Sequence, residues 1–367
     1  MQQSRAGFMI YGAYGYTGEL IARRALERGH RPLLAGRQRE KLTALARELG
    51  LPSVCVALED AEALRRAVAS VEVVCHAAGP FVHTSAPMVD ACVAAQTSYV
   101  DITGELPVFQ NVFAKHREAE ARGVALMPGV GFDVVPSDCL ARFVADAVPG
   151  ASELEIAFTM TGGPSAGTAK SSLEGIQRGN FKRRGGALTD IAWGEGLREV
   201  QFSDRRRSVL PIPWGDLETA YRTTGIANIT TYMAVPERVA RWVSRASGVT
   251  SKLMPVLAAG LGQPGVRRVL SSAIEGLVKN PDAHARQTGR AYLWARAVAS
   301  DGRSREAWLE TADGYAFTAH SAVLAMERLT SAHPVGALTP AASFGADFVL
   351  EISGSLRYDS LPASARR

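Results

Sequence analysis

The chain has 367 residues, a net charge of +5 and 47% hydrophobic residues, an ordinary globular composition that is long enough for two domains. The charge is mildly basic, but the sequence contains no basic stripe with interleaved aromatic residues, so nucleic acid is not an expected partner. Four scattered cysteines without a Cys-x-x-Cys pair, no signal sequence and no apolar stretch of membrane-spanning length predict a cytoplasmic protein.

The first third of the chain repeats a short apolar run followed by an amphipathic segment. The predicted strands are Phe8–Tyr11, Pro32–Ala35, Val54–Leu58, Val71–Ala77, Tyr99–Ile102 and Val124–Met127. The predicted helices between them are Thr17–Arg28, Arg37–Leu49, Ala61–Val68, Ser85–Ala95 and Val108–Arg122. Continuous apolar strands alternating with helices predict an α/β fold, a doubly wound parallel Rossmann sheet covered on both faces.

The pattern changes after Pro149-Gly150. Longer alternating runs at 153–160, 227–235, 291–300 and 306–311 predict a mixed or antiparallel sheet, with helices at 169–178, 236–246, 265–279 and 315–329. We therefore expect a Rossmann domain over 1–148 and an α+β domain for substrate or dimerisation over 149–335. The segment 336–367 is expected to pack back on the first domain, with a helix over Leu338–Ile352.

A glycine-rich motif follows the first predicted strand and opens the first helix. Gly12, Gly15 and Gly18 form GxxGxxG, a spacing variant of the dinucleotide-binding fingerprint. We expect Gly12 to allow the sharp turn, Gly15 to let the backbone approach a pyrophosphate, and Gly18 to let helix and strand lie close. The helix N-terminus then attracts the phosphate charge.

The end of the second strand indicates which dinucleotide binds. NAD sites usually place an acidic residue there, whereas this chain places Arg37, with Arg39 and Lys41 close behind. A guanidinium can pair with a 2′-phosphate, so NADP(H) is the predicted cofactor. Asp60, after the third strand, either meets the adenine or caps the following helix.

Ligands of parallel sheets sit at the carboxyl ends of the strands, so the loops after the fourth to sixth strands should surround the nicotinamide. The complete predicted cofactor-binding set is Gly12, Tyr14, Gly15, Tyr16, Thr17, Gly18, Arg37, Arg39, Lys41, Asp60, Ala78, Gly79, Pro80, Phe81, Thr103 and Gly104.

Three residues are candidates for catalysis. Asp133, in the loop after the sixth strand, either faces the nicotinamide pocket or braces the turn into the next helix. Thr103 could hydrogen-bond the carboxamide or the substrate, and Lys170 could meet an anionic substrate or be a solvated lysine. The seven histidines show no metal-binding spacing, and no hydrolase or kinase motif is present, so no metal is expected.

Five segments resemble the saccharopine dehydrogenase-like oxidoreductases: GAYGYTGE, LAGRQREKL, AAGPFVH, YVDITGE and PGVGFDVVPSD. The resemblance weakens at Gly167–Gly175 and Leu338–Gly345. It implies an NADP-binding Rossmann domain joined to an α+β substrate domain. It also implies an oxidoreductase, because the family includes saccharopine reductases of lysine metabolism and trans-acting enoyl reductases of lipid biosynthesis.

We therefore expect an NADPH-dependent reductase of a C=C bond in a small-molecule or acyl substrate. The alternatives are an imine reductase of the saccharopine type and a non-catalytic NADP-sensing or scaffold protein. An acyl chain would need an apolar pocket, for which the candidates are Trp214, Met233, Trp242, Leu253 and Leu257. A dicarboxylic imine would need paired cations, for which the candidates are Arg178, Lys182, Arg183 and Arg184.

The densest basic stretch is Arg178–Arg207. It is interpreted as a solvated face, or as a contact for an anionic substrate or, peripherally, a membrane surface. A second copy of the chain is a further candidate partner.

Overall fold

In the computed structural model, the described residues are 6–163, 165, 167–169, 179–192, 194–245 and 280–361. The chain divides into two compact units, Met1–Val135 with Tyr315–Phe344, and Pro136–Gly314 with Gly345–Arg367. These boundaries differ from the expected ones at 148/149 and 335/336, because the helix that begins at Val135 falls in the second unit and a helix late in the chain falls in the first. The segment 336–367, expected to pack on the first domain, belongs to the first unit only up to Phe344, and the rest belongs to the second. The predicted helix 265–279 lies outside the described residues, as does most of the one at 169–178.

The first unit contains a seven-stranded parallel sheet. Its strands are β1 (Ala6–Tyr11), β2 (Leu33–Gly36), β3 (Ser53–Cys55), β4 (Val71–His76), β5 (Ser98–Asp101), β6 (Ala125–Met127) and β15 (Gly336–Ala337). The order is β15-β6-β5-β4-β1-β2-β3, and every pairing is parallel. The predicted doubly wound sheet is confirmed, with its switch point between β1 and β4, where dinucleotides bind.

Six helices link these strands along the first part of the chain. They are α1 (Tyr16–Glu27), α2 (Arg39–Leu49), α3 (Ala61–Ala69), α4 (Phe81–Ala95), α5 (Leu106–Ala114) and α6 (His116–Arg122). The single helix predicted over 108–122 is wrong, because the chain turns at Lys115, whose ammonium pairs with Asp90 of α4 at 2.7 Å.

The second unit contains a mixed sheet, as predicted. Its strands are β7 (Ala151–Met160), β8 (Phe181–Arg184), β9 (Ala187–Asp190), β10 (Arg198–Gln201), β11 (Arg206–Pro211), β12 (Asn228–Ala234), β13 (Arg290–Ala299), β14 (Ser304–Ala312) and β16 (Leu356–Tyr358). Only the β7–β12 pairing is parallel among these described strands. The helices are α7 (Val135–Asp146), α8 (Asp216–Thr224), α9 (Glu237–Arg245) and α10 (Ala283–Thr288).

The end of the chain does not form the helix predicted over Leu338–Ile352. It forms the five-residue α12 (Pro340–Phe344) and a 3-10 turn over Phe348–Glu351. Gly345, at φ 87°, interrupts them with a left-handed conformation that a continuous helix cannot contain. Within the described part of the chain, no helix is long and apolar enough to cross a membrane.

Helix α11 (Gly314–Ala332) completes the first unit from a distant part of the sequence. Ser321 donates a hydrogen bond to the carbonyl of Val130 at 2.7 Å, and the Phe132 amide donates to Thr318 Oγ1 at 2.9 Å. Both contacts reach the loop that follows β6. This helix therefore supports the carboxyl edge of the sheet, where ligands of such sheets bind.

The other end of α11 is held by an ion cluster. Glu327 accepts two hydrogen bonds from Arg28 (2.7 and 2.6 Å) and contacts His30 Nε2 at 2.7 Å. Burial raises the pKa of Glu327, but the hydrogen bonds from Arg28 and His30 outweigh it, so the net pKa is lowered.

We predict that Glu327→Gln lowers the free energy of unfolding by about 1 kcal/mol at neutral pH. A carboxyl whose pKa is lowered by folding stabilises the folded state at pH values above its ordinary pKa. That stabilisation is lost as the pH falls through the lowered pKa. Urea unfolding should therefore separate wild type from variant at neutral pH but not in acid. Glu62→Gln is the matched control, because its pair with Arg66 is exposed. Equal loss in both variants would contradict the prediction.

Candidate dinucleotide site

The turn after β1 has the geometry expected of the glycine motif. Gly12 has φ 83°, and a Cβ there would lie 2.8 Å from the Ala78 Cβ at the end of β4. A Cβ on Gly18 would overlap the carbonyl oxygen of Gly12, so α1 can lie this close to the loop only with glycine. Gly15 is the N-cap and has no side chain to cap the helix, so the positive end of α1 is left for an anion.

Tyr14 links this turn to the end of β2. Its ring covers Gly36, where a Cβ would be 2.5 Å from Tyr14 Cε1, and its hydroxyl accepts a hydrogen bond from the Gln38 amide at 3.2 Å. The contact fixes the start of the segment that carries the predicted phosphate ligands. Tyr16 and Thr17, the other predicted residues of this turn, are half-buried at the start of α1.

Arg37, Arg39 and Lys41 are all exposed beside this turn. None of the three forms an ion pair with another described residue, so their charge is available to a bound phosphate. Asp60 caps α3 by accepting from the Ala63 amide at 3.0 Å, which is the structural role among its two predicted ones.

The loop between β4 and α4 leads through Ala78 to the start of α4 at Phe81, and it is held from two sides. Glu105 accepts hydrogen bonds from the amides of Phe81 (2.9 Å) and Val82 (2.8 Å), which caps α4 and explains why this helix begins four residues before the predicted Ser85. The Thr84 hydroxyl donates to the Ala78 carbonyl at 2.7 Å. The two contacts fix the predicted Ala78, Gly79, Pro80 and Phe81 at the edge of the sheet.

His76 supports this loop from inside the sheet. It is fully buried, and burial lowers its pKa to about 3, so the ring is neutral. Its Nε2 lies 3.0 Å from Thr84 Oγ1, and because that hydroxyl donates to a carbonyl, Nε2 is the donor. Sequence patterns gave no role to His76 or Thr84, and they suggested Glu105 only as a charge at a helix N-terminus, because no spacing rule relates it to the distant α4.

A buried carboxyl holds the loops after β5 and β6 together. Asp101 accepts hydrogen bonds from the Tyr99 hydroxyl (2.7 Å) and from the amides of Thr103 (3.0 Å) and Gly129 (2.8 Å). Burial raises its pKa to about 6, and these three donors act in the opposite direction. Both of its oxygens are engaged, so Asp101 is a structural brace.

Asp133 lies in the space that Gly104 leaves open. A Cβ on Gly104 would be 3.0 Å from Asp133 Oδ2. Burial of the carboxyl, and then the nearby charge of Glu105, raise the pKa of Asp133 to about 7. The residue as a whole is half-buried, unlike Asp101, so a group able to hold a proton at neutral pH lies near the surface of the first unit.

The structure gives no support for a catalytic role of the other two predicted residues, Thr103 and Lys170. Thr103 is fully buried, and its hydroxyl accepts from the Glu105 amide at 3.0 Å, which favours a role in bracing the loop. Lys170 lies outside the described residues. Among the residues that are described, no group of three His, Cys, Asp or Glu side chains is placed to hold a metal ion.

Helix α11 adds residues that were not predicted for this edge. Tyr315 contacts Tyr16 edge to face, with ring centroids 5.0 Å apart, and Thr318 meets the backbone beside Gly131. Both follow the main segment of the second unit, Pro136–Gly314, in sequence. Their only sequence signal was a helical pattern, which does not state which unit a helix joins.

A parallel sheet of this order, a glycine turn at its switch point and an uncapped helix N-terminus define a dinucleotide-binding Rossmann protein. Residues 8–127 of the first unit match the family model of the saccharopine dehydrogenase NADP binding domain. The match confirms the predicted cofactor, NADP(H), and the resemblance found in the sequence.

Known proteins extend the comparison over the rest of the chain. Saccharopine dehydrogenase (L-Glu forming) of Saccharomyces cerevisiae has a similar fold, with a TM-score of 0.66 at 13% identity over 94% of this chain and 96% of that one. A putative trans-acting enoyl reductase of Mycobacterium tuberculosis is 34% identical over 181 residues, which is 45% of this chain and 43% of the relative. A trans-acting enoyl reductase of Mycobacterium bovis is 33% identical over 138 residues, 35% of this chain and 33% of the relative.

The described residues fit NADP(H). Gly12, Gly15 and Gly18 leave backbone room and a free helix dipole for the pyrophosphate, while Arg37 with its basic neighbours offers cations for a 2′-phosphate. The residues assigned to individual parts of the cofactor remain predictions, which the following variants test.

We predict that Gly15→Val folds but loses at least about tenfold in NADPH affinity. Gly15 has ordinary dihedral angles (φ −74°, ψ 157°), and its added Cβ meets only the Gly12 carbonyl oxygen, at 3.1 Å, within the protein. Gly18→Ala is the contrasting variant, because overlap with backbone should cost about 1–3 kcal/mol of stability. Fluorescence titration measures the NADPH affinity of each variant, and thermal unfolding measures its stability. Wild-type NADPH affinity in Gly15→Val would disprove the assignment.

We predict that Arg37→Asp brings NADH at least level with NADPH. Two charge-assisted bonds to a 2′-phosphate favour NADPH by about two orders of magnitude, and a carboxylate replaces that attraction by repulsion. Titration of both cofactors against wild type, variant and the control Arg47→Asp, at the far end of α2, measures the preference. If wild type binds the two cofactors equally, Arg37 does not contact the 2′-phosphate.

Proposed function

We propose that this protein is an NADPH-dependent reductase of an activated C=C bond in an acyl substrate, with Asp133 as the proton donor. The observation that carries the proposal is a carboxyl with a pKa near neutrality in a loop at the carboxyl edge of an NADP-binding sheet. The names of the enoyl reductase relatives support the C=C bond as the target, although they share less than half of their length with this chain.

The chemistry needs one hydride and one proton. Bound NADPH supplies the hydride, and the protein has to supply orientation and the proton for the other carbon of the double bond. A general acid works best when its pKa is near the working pH. Asp133 satisfies that condition, because burial and the charge of Glu105 keep a share of its carboxyl protonated at neutral pH.

The neighbouring carboxyls are less suited to this role. Asp101 is fully buried, and its oxygens accept three hydrogen bonds. Both carboxylate oxygens of Glu105 accept hydrogen bonds from the first amides of α4. Asp133 is the member of the group that combines partial exposure with a raised pKa.

Two of the four cations expected for a dicarboxylic imine substrate have structural partners. Arg183 is buried, pairs with Glu218 at 2.7 Å, donates to the Leu217 carbonyl and lies over the Tyr221 ring. Lys182 pairs with Glu195 at 3.3 Å. Arg184 is exposed, and Arg178 lies outside the described residues. These contacts favour the C=C substrate over the imine.

The predicted apolar pocket is not assembled by the described candidates. Trp214 packs against Phe158, with ring centroids 4.7 Å apart, whereas Trp242 and Met233 are exposed. Leu253 and Leu257 lie outside the described residues. The acyl chain length therefore has to be found by assay.

The test is NADPH oxidation with trans-2-enoyl thioesters of increasing chain length, compared with imines formed from an amino acid and a keto acid. Turnover of the enoyl series supports the proposal. Turnover of the imines alone would replace it by the saccharopine-type reaction. NADPH binding without turnover of either series would favour the non-catalytic alternative.

We predict that Asp133→Asn lowers kcat with an active substrate by about 100-fold or more, with NADPH affinity unchanged. A proton donor is active while protonated, so wild-type kcat should fall as the pH rises through about 7, the raised pKa of Asp133. The variant should lose that decline. The exposed Asp90→Asn on α4 is the control and should keep it. An unchanged pH profile in Asp133→Asn would remove Asp133 from the mechanism.

A further inference from the structure

Helix α9 carries a compact cationic face in the second unit. Arg238, Arg241, Trp242 and Arg245 are spaced three, four and seven residues apart, so they lie on one side of the helix along about 10 Å. All four are exposed, Trp242 by 53%. Together they line a surface depression of about 320 Å³. We call these four side chains the α9 face.

The opposite side of the helix explains how it is held. Ala240 and Val243 are buried, and the helix packs beside β11. The α9 face is therefore not needed to attach the helix, since the apolar side does so.

The charge of the α9 face is not neutralised within the described part of the protein. None of its three arginines forms an ion pair with a described acidic residue. Arg207, by contrast, is bound by both oxygens of Asp204 at 2.6 Å. The three adjacent cations beside an exposed indole therefore have no acidic partner among the described residues.

We propose that the α9 face docks on an anionic phospholipid surface. Guanidinium groups bind lipid phosphates through paired hydrogen bonds, and an indole is favoured at the boundary between headgroups and acyl chains. Val239 is exposed by 40% next to this face and adds apolar surface. Electrostatic attraction to anionic lipids and burial of apolar side chains are the two contributions that bind amphipathic helices to membranes.

The small size of the face argues against a protein partner. A specific protein interface buries about 800 Å² on each side, which four side chains along a helix of nine residues do not supply. A membrane surface needs no such area, because each cation contributes separately. This assignment differs from the basic stretch 178–207 suggested by the sequence, where Lys182, Arg183, Arg198 and Arg207 have acidic partners.

The test is co-sedimentation of the full chain with vesicles of phosphatidylcholine alone or mixed equally with phosphatidylglycerol. Wild type should bind the anionic vesicles and be released by salt. Replacing Arg238, Arg241 and Arg245 together by Gln should lower the partition coefficient roughly a hundredfold. Trp242→Ala should lower it severalfold, because the indole adds buried apolar area.

A matched triple variant makes the result specific. Arg184, Arg205 and Arg206 are also exposed, and their replacement by Gln removes the same number of positive charges from the 178–207 stretch. This control should bind like wild type, and circular dichroism should show that both triple variants are folded. Absence of wild-type binding, equal binding to uncharged vesicles, or equal loss in both triple variants would overturn the proposal.

Discussion

The carboxyl edge of the N-terminal sheet depends on one buried carboxyl, that of Asp101. Its oxygens accept hydrogen bonds from Tyr99, from the Thr103 amide and from the Gly129 amide, which ties β5 to the loops after β5 and β6. A buried charge is costly unless donors satisfy it, and here three donors converge on it. Because the loops are fixed in this way, the loop after β5 places Glu105 against α4, and the loop after β6 places Asp133 beside Gly104.

At this edge of the sheet, one helix N-terminus is capped by a side chain and another is not. Helix α4 receives the Glu105 carboxylate on its first amides, whereas α1 begins at a glycine with no capping side chain. A capped terminus is neutralised, and an uncapped one retains its attraction for anions. The acids at this edge also differ, since Asp101 and Glu105 hold backbone amides, whereas burial raises the pKa of the half-buried Asp133 to about 7.

Local sequence patterns predicted the sheet and the glycine turn well, because strand–helix alternation and GxxGxxG are read from neighbouring residues. They did not predict contacts between distant segments. The caps made by Glu105 and the support from α11 join residues far apart in the chain, and the helix expected over 338–352 failed at Gly345, where a left-handed residue ends it. Asp133 was a candidate from its loop position, but its raised pKa comes from burial, which composition does not reveal.

The ring of Tyr14 over Gly36 has an evolutionary consequence. An acidic side chain at position 36, at the very end of β2, would collide with that ring, so it requires the Tyr14 ring to move or to be replaced. Position 37 carries no such restriction, since its side chain is exposed. A change of preference from NADP(H) to NAD(H) can thus begin with one substitution at position 37, while the route through position 36 also has to displace the Tyr14 ring.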